Sequence, residues 1–65
     1  MLADKIRQLR EKHHLSQSEL ARRSGHPVSS IHGIENGDNK NPSLRIMRDI
    51  ACVLDISLDE LAKSL

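Results

Sequence analysis

The stretch from residue 16 to residue 35 predicts two short helices joined by a tight turn. Ser16 is a natural N-cap, and Glu19, three residues later, can return the hydrogen bond of a capping box. Gly25 predicts the end of the first helix, because the left-handed backbone that such a turn needs costs glycine little. Two isoleucines three residues apart then give the second helix an inward face. This layout is typical of a helix-turn-helix that reads DNA.

The rest of the chain adds three more helices, which predicts an all-α fold of five short helices in a single domain over residues 1–65. We expect helices over about residues 2–13, 17–24, 28–36, 44–54 and 58–64. Residues 36–43 are dense in turn formers and predict a loop. Ser43 and Ser57 predict further N-caps, the second with Glu60 in a capping box. The inward positions expected on the first and fourth helices are Leu2, Ile6, Leu9, His13, Ile46 or Met47, Ile50, Ala51 and Leu54.

Composition excludes several functions. The 65 residues include no Phe, Tyr or Trp, which argues against single-strand binders that stack bases on aromatic side chains. The net charge of +1 neither favours nor excludes a nucleic acid. One cysteine excludes an internal disulfide, and no apolar run is long enough for a signal peptide or a membrane span. We expect a small cytoplasmic, nucleoid-associated protein of a prokaryote or phage, or the N-terminal domain of a longer chain.

Metal binding and catalysis find little support. His13 and His14 are adjacent and so point in different directions on a helix, and Cys52 is far from both in sequence. The sequence pattern around Cys52 does not indicate a nucleophile with a neighbouring base. We therefore expect surface histidines, a half-buried Cys52, no cofactor, no metal and no enzymatic activity.

Over nearly its full length the chain resembles the phage-repressor and Cro type of helix-turn-helix, the XRE family. The resemblance is carried by IRQLREKHHLSQSELARRSG, SIHGIENG and NPSLRIMRDIACVLDISLDEL. The loop between Glu35 and Pro42 is slightly longer than usual, as in the SinR-like branch of biofilm regulators.

The resemblance implies a role for each matching position. The third helix would lie in the major groove of DNA, and an ion pair between Arg10 and Glu35 would fix it against the first helix. Gln17 would hold a backbone phosphate, aided by the positive end of its helix. The expected base contacts are Val28, Ser29, His32 and Gly33. The expected phosphate contacts are Gln17, Asn36, Lys40, Asn41 and Arg45.

Two departures from the family pattern stand out. The turn carries His26 and Pro27 where the family usually has an apolar residue and then a Ser/Thr cap, and we expect Pro27 at the first helical position. The third helix has no Arg, Gln or Asn before Asn36, so the strong readers of guanine and adenine are absent. Sequence preference is then soft or partly due to DNA shape.

The resulting hypothesis is a sequence-specific regulator of transcription, a repressor that binds a two-fold operator on double-stranded DNA as a homodimer. Leu58, Leu61 and Leu65 recur on one side of the fifth helix and either form the dimer surface or simply finish the core. The alternative is a protein-interaction module, an anti-repressor or an antitoxin, with weak DNA binding.

Overall fold

The computed structural model describes all 65 residues, and its regular structure consists of five α-helices without strands. This confirms the all-α prediction. The helices are α1 (Leu2–Lys12), α2 (Gln17–Ser24), α3 (Val28–Glu35), α4 (Leu44–Val53) and α5 (Leu58–Ala62). α2 has the predicted bounds, whereas each of the other four ends one or two residues earlier than predicted.

Two of the early helix ends have a visible backbone cause. His14 and Asp55 adopt left-handed conformations, with φ of 57° and 58°, shortly after α1 and α4. A non-glycine residue in that conformation cannot continue a right-handed helix. The expected inward position of His13 is wrong for the same reason, because α1 ends at Lys12 and the His13 side chain is exposed.

A single apolar cluster joins all five helices and includes both candidates at the start of α4, Ile46 and Met47. α2 packs against α3 and α4, while α1 packs against α3 and α5. The other buried members are Leu2, Ile6, Leu15, Leu20, Ala21, Ile31, Ile34, Ile50, Ala51, Leu54 and Leu61.

Serine caps begin three of the helices. At α2 the capping box is complete: Glu19 N donates to Ser16 Oγ at 3.0 Å, and Ser16 N donates to Glu19 Oε1 at 3.1 Å. At α4 only the serine half of this arrangement is present, because Ser43 Oγ accepts from Ile46 N at 3.3 Å. Ser57 caps α5, but the predicted return bond from Glu60 is absent, and that carboxylate instead faces Lys5 at 3.8 Å and Lys63 at 3.6 Å.

Of the two alternatives left open for Leu58, Leu61 and Leu65, a dimer surface or the core, a shared exposed surface is not found. Leu61 is fully buried in the core, Leu58 is half-buried against it, and only Leu65 is widely exposed. Leu61 therefore completes the core rather than a dimer surface. Cys52 is exposed on α4, not half-buried as expected. No helix has the length and apolar character needed to cross a membrane.

Candidate nucleic-acid interface

The outer face of α3 is open to solvent. Ile31 and Ile34 turn inward and are at most 1% exposed, which leaves the side chains of Val28, Ser29 and His32 on the surface. Val28 is 46% exposed, a large fraction for an apolar residue. α3 thus presents the four residues predicted for base contacts, with half-buried Gly33 among them.

At Gly33 no side chain projects from the outer face of α3. No other part of the fold lies within 4 Å of the point where its side chain would begin, so neither packing nor backbone conformation requires glycine there. A missing side chain at an open helical position lets another molecule approach the backbone closely.

A bidentate ion pair fixes the C-terminal end of α3. Arg10 Nε donates to Glu35 Oε2 at 2.8 Å, and Arg10 Nη2 donates to Glu35 Oε1 at 3.0 Å. The side chains are only 13% and 3% exposed, so little water competes with the pair. The hydrogen bonds that Arg10 donates to Glu35 raise the pKa of the Arg10 guanidinium. Arg10 Nη1 also donates to Leu15 O at 2.8 Å, which ties the α1–α2 connection to the same group.

Gln17 joins this network, which the sequence did not reveal. Its amide Nε2 donates to Glu35 Oε1 at 3.3 Å. An amide nitrogen carries two hydrogens, so one remains for a second acceptor. Gln17 is the first residue of α2, where backbone N–H groups lack helical partners and the helix dipole favours an anion. The buried carboxylate of Glu35 therefore aims a donor beside the positive end of α2.

The loop after α3 folds back onto that helix. Asn39 N donates to Gly33 O at 3.0 Å, and Gly37 adopts a φ of 87°, which reverses the chain. Asn36 Oδ1 accepts from Asp38 N at 2.9 Å, so its amide nitrogen stays free of this turn. These bonds hold the loop close to the exposed face of α3.

Two cations follow in this region. Lys40 in the loop and Arg45 in the first turn of α4 are exposed, and neither forms an ion pair. Asn41, also exposed, uses its backbone N–H to close a turn on Asn39 Oδ1 at 3.2 Å. The predicted phosphate contacts after α3 are thus all on the surface and within ten residues of one another.

The turn between α2 and α3 is fixed at its start by backbone geometry. Gly25 has a φ of 77°, as predicted, and His26 N donates to Ala21 O at 3.0 Å in a Schellman arrangement. The expected place of Pro27 at the first helical position is wrong. Its extended backbone, with ψ of 146°, makes it the N-cap residue, and α3 begins at Val28.

His26 replaces the usual apolar plug by a polar contact. Its Nε2 lies 2.7 Å from Asp49 Oδ2 on α4. The hydrogen bond from His26, helped by Arg48, lowers the pKa of the Asp49 carboxyl. The sequence did not predict this contact, because no spacing rule relates a turn residue to a helix that lies more than twenty positions later in the chain.

A shallow polar concavity separates α3 from the start of α4. His26, Ser29, Ser30, Asn39 and Ser43 contribute to its lining. Its hydroxyl, amide and imidazole groups suit a hydrated polar surface such as a sugar-phosphate backbone. No group of three His, Cys, Asp or Glu side chains is placed to hold a metal ion.

Two short helices joined by a glycine turn, the second with an exposed outer face, are the layout of a helix-turn-helix domain. A family model described as Helix-turn-helix matches residues 6–61. The chain belongs to this family, in its XRE-type branch.

Two transcriptional regulators are similar to this chain over most of its length. It is 34% identical over 61 residues to the HTH-type transcriptional regulator SinR of Bacillus subtilis, a match that covers 94% of this chain and 55% of SinR. An uncharacterized HTH-type transcriptional regulator of Coxiella burnetii is 33% identical over 60 residues, which cover 92% of this chain and 28% of that protein. The chain thus spans about half the length of SinR.

Solved structures agree with these matches. SinR, described as the master regulator for biofilm formation, in complex with DNA superposes with a TM-score of 0.91 at 34% identity, covering 95% of this chain and 98% of that chain. A complex of SinR with the SinI protein superposes with a TM-score of 0.90 at 32% identity, covering 100% of this chain and 67% of that one. These matches confirm the resemblance to the SinR-like branch.

Proposed function

We propose that this domain binds double-stranded DNA with α3 in the major groove and regulates transcription as a repressor. The observation that carries the proposal is the exposed face of α3 on a helix fixed by Arg10 and Glu35. It is supported by the close superposition on a relative whose structure was solved with DNA. A repressor of this type acts by occupying its operator and needs no catalysis. Such a regulator works in the cytoplasm of a prokaryote or of a phage-infected cell.

Two groups of residues divide the work of binding. Val28, Ser29, His32 and Gly33 meet base edges, where a hydroxyl or imidazole makes single hydrogen bonds and a valine contacts a thymine methyl. Gln17, Asn36, Lys40, Asn41 and Arg45 meet the phosphates, which set register and orientation without reading sequence. Because α3 has no long bidentate reader, we expect DNA shape to contribute to selectivity.

Tight operator binding requires two copies. A single domain of 65 residues offers a small DNA interface, and helix-turn-helix proteins enlarge it by binding two half-sites about 34 Å apart as a dimer. Leu61 lies in the core and so does not contribute to the homodimer surface.

A protein-interaction module is the second candidate. It is favoured by the short side chains on α3 and by a net charge of only +1. An anti-repressor or antitoxin of this kind would bind a partner protein tightly and DNA weakly.

Substitutions in the two groups distinguish the candidates. In a regulator, Ser29→Ala and His32→Ala change the preferred bases, whereas Gln17→Ala and Lys40→Ala weaken binding to all duplexes alike. Lys5→Ala is the matched control for Lys40→Ala. It also removes a lysine, but one on α1 that pairs with Glu60 on α5 and is not a proposed DNA contact. Binding measured by mobility shift on labelled duplexes decides the question. Equal, weak binding of wild type and all variants contradicts the regulator and supports the interaction module.

A further inference from the structure

The N-terminal end of α3 lacks the usual means of fixing a helix start. Pro27 occupies the N-cap position, and no side chain caps the helix. The apolar plug of the family pattern is replaced by His26. The one side-chain hydrogen bond that joins residues 25–30 to a helix other than α2 or α3 runs from His26 to Asp49.

This contact has the geometry of a strong hydrogen bond. The 2.7 Å between His26 Nε2 and Asp49 Oδ2 is short for a nitrogen donor, and the side chains are only 19% and 26% exposed. An ionised carboxylate only accepts, so Nε2 carries the shared hydrogen. Arg48 approaches the other carboxylate oxygen at 3.3 Å and leaves Oδ2 to His26. The contact therefore links the turn to α4 by a directional bond, not by diffuse attraction.

The two ends of α3 are held by different helices. At its C-terminal end Glu35 binds Arg10 of α1, and just before its N-terminal end His26 binds Asp49 of α4. Between these points, Ile31 and Ile34 anchor one side of the helix in the core. A change of tilt moves the ends of a helix further than its middle, and hydrogen bonds weaken steeply as their geometry is lost. Tilt of α3 is restrained by its ends.

We propose that His26 and Asp49 are positioning residues that set the angle of the first turn of α3 on DNA and so its discrimination between sequences. This inference rests on the proposed function. Val28 and Ser29 follow His26 by two and three residues, so a shift of the turn moves them directly. The phosphate contacts proposed on α2 and in the loop after α3 lie on other segments and keep their positions.

The test compares affinity for a selected duplex with affinity for a scrambled duplex of the same length. In His26→Leu and Asp49→Ala the ratio of the two affinities falls roughly tenfold, the size of losing one base contact. The double variant loses no more than either single variant, because both remove the same bond. His26→Gln keeps the ratio, since its amide Nε2 reaches the same carboxylate. The salt dependence of binding stays unchanged in all of them.

The control is Glu60→Ala, which removes an ion pair between α5 and α1 away from α3. All variants are first shown to be folded by far-UV circular dichroism. A wild type that does not discriminate between duplexes contradicts the proposed function and, with it, the positioning role. A discriminating wild type whose ratio survives both single substitutions, or is lost equally in His26→Gln, contradicts the positioning role alone.

Discussion

At the scale of single residues, the ion pair between Arg10 and Glu35 is the most deeply buried ion pair in the fold. Glu35→Ala leaves the guanidinium of Arg10 without its partner, and we expect a loss of about 3 kcal/mol in the free energy of unfolding. Asp4→Ala removes an exposed pair with Arg7 on α1 and is expected to cost less than about 1 kcal/mol. Urea unfolding followed by circular dichroism measures both. Equal costs would show that burial of the pair contributes nothing.

Lys40 and Gln17 are both proposed to contact phosphates, but only Lys40 carries a charge. Lys40→Ala removes a cation and is expected to reduce the slope of log K against log salt by about 0.9 per half-site. Gln17→Ala removes a neutral donor, so affinity falls while the slope stays the same. Titrations of one duplex at several salt concentrations give both slopes. An unchanged slope in Lys40→Ala would remove this lysine from the phosphate contacts.

At the scale of elements, two glycines are expected to respond in opposite directions. Gly25 ends α2 with a φ of 77° and open space around it, so Gly25→Ala costs about 1 kcal/mol from the backbone alone. Gly33 lies within the right-handed helix α3 in open space, so Gly33→Ala stabilises the fold by up to about 1 kcal/mol. Thermal unfolding of the two variants measures the difference.

The Gly33→Ala variant also has a functional cost under the proposed function. Its methyl group stands between α3 and the base edges, so the more stable protein binds its operator more weakly. A variant that gains stability and keeps full affinity would show that α3 does not approach DNA at this position.

Local signals in the sequence were enough to place the elements. Ser16, Glu19 and Gly25 defined α2 to the residue, because caps and a left-handed turn act within a few positions. The ends of α1 and α4 were predicted one residue too late. The left-handed residues that follow these helices, His14 and Asp55, are not glycines, so the sequence gives no signal for them.

At the candidate site, the sequence could not predict most contacts between residues that are far apart in the chain. The positions of Arg10 and Glu35 followed from family resemblance, and the structure brings them together. The bond from Gln17 to Glu35 and the bond from His26 to Asp49 depend on how helices cross. Leu61 shows the same limit, because helical spacing gives the side of α5 on which a residue lies but not whether a neighbour covers that side.

At the scale of the whole molecule, two carboxyl groups couple stability to pH. A backbone hydrogen bond from Ser16 lowers the pKa of Glu19 from its ordinary 4.5, and the bond from His26 lowers that of Asp49 from 3.8. A lowered pKa in the folded state stabilises the fold above the ordinary value, and this contribution is lost as pH falls through the folded value. We therefore expect the melting temperature to decline below about pH 4.5, with a shallower decline in Glu19→Gln. Equal declines in the two proteins would contradict the role of the capping carboxylate.

The central claim is that the domain recognises specific sequences on double-stranded DNA. Selection from a random duplex library at near-physiological salt tests it most directly, with label on the DNA because the protein has no Trp or Tyr. The account predicts enrichment of an inverted repeat whose half-sites lie about one helical turn apart, ~34 Å. A folded protein that enriches no sequence would contradict it.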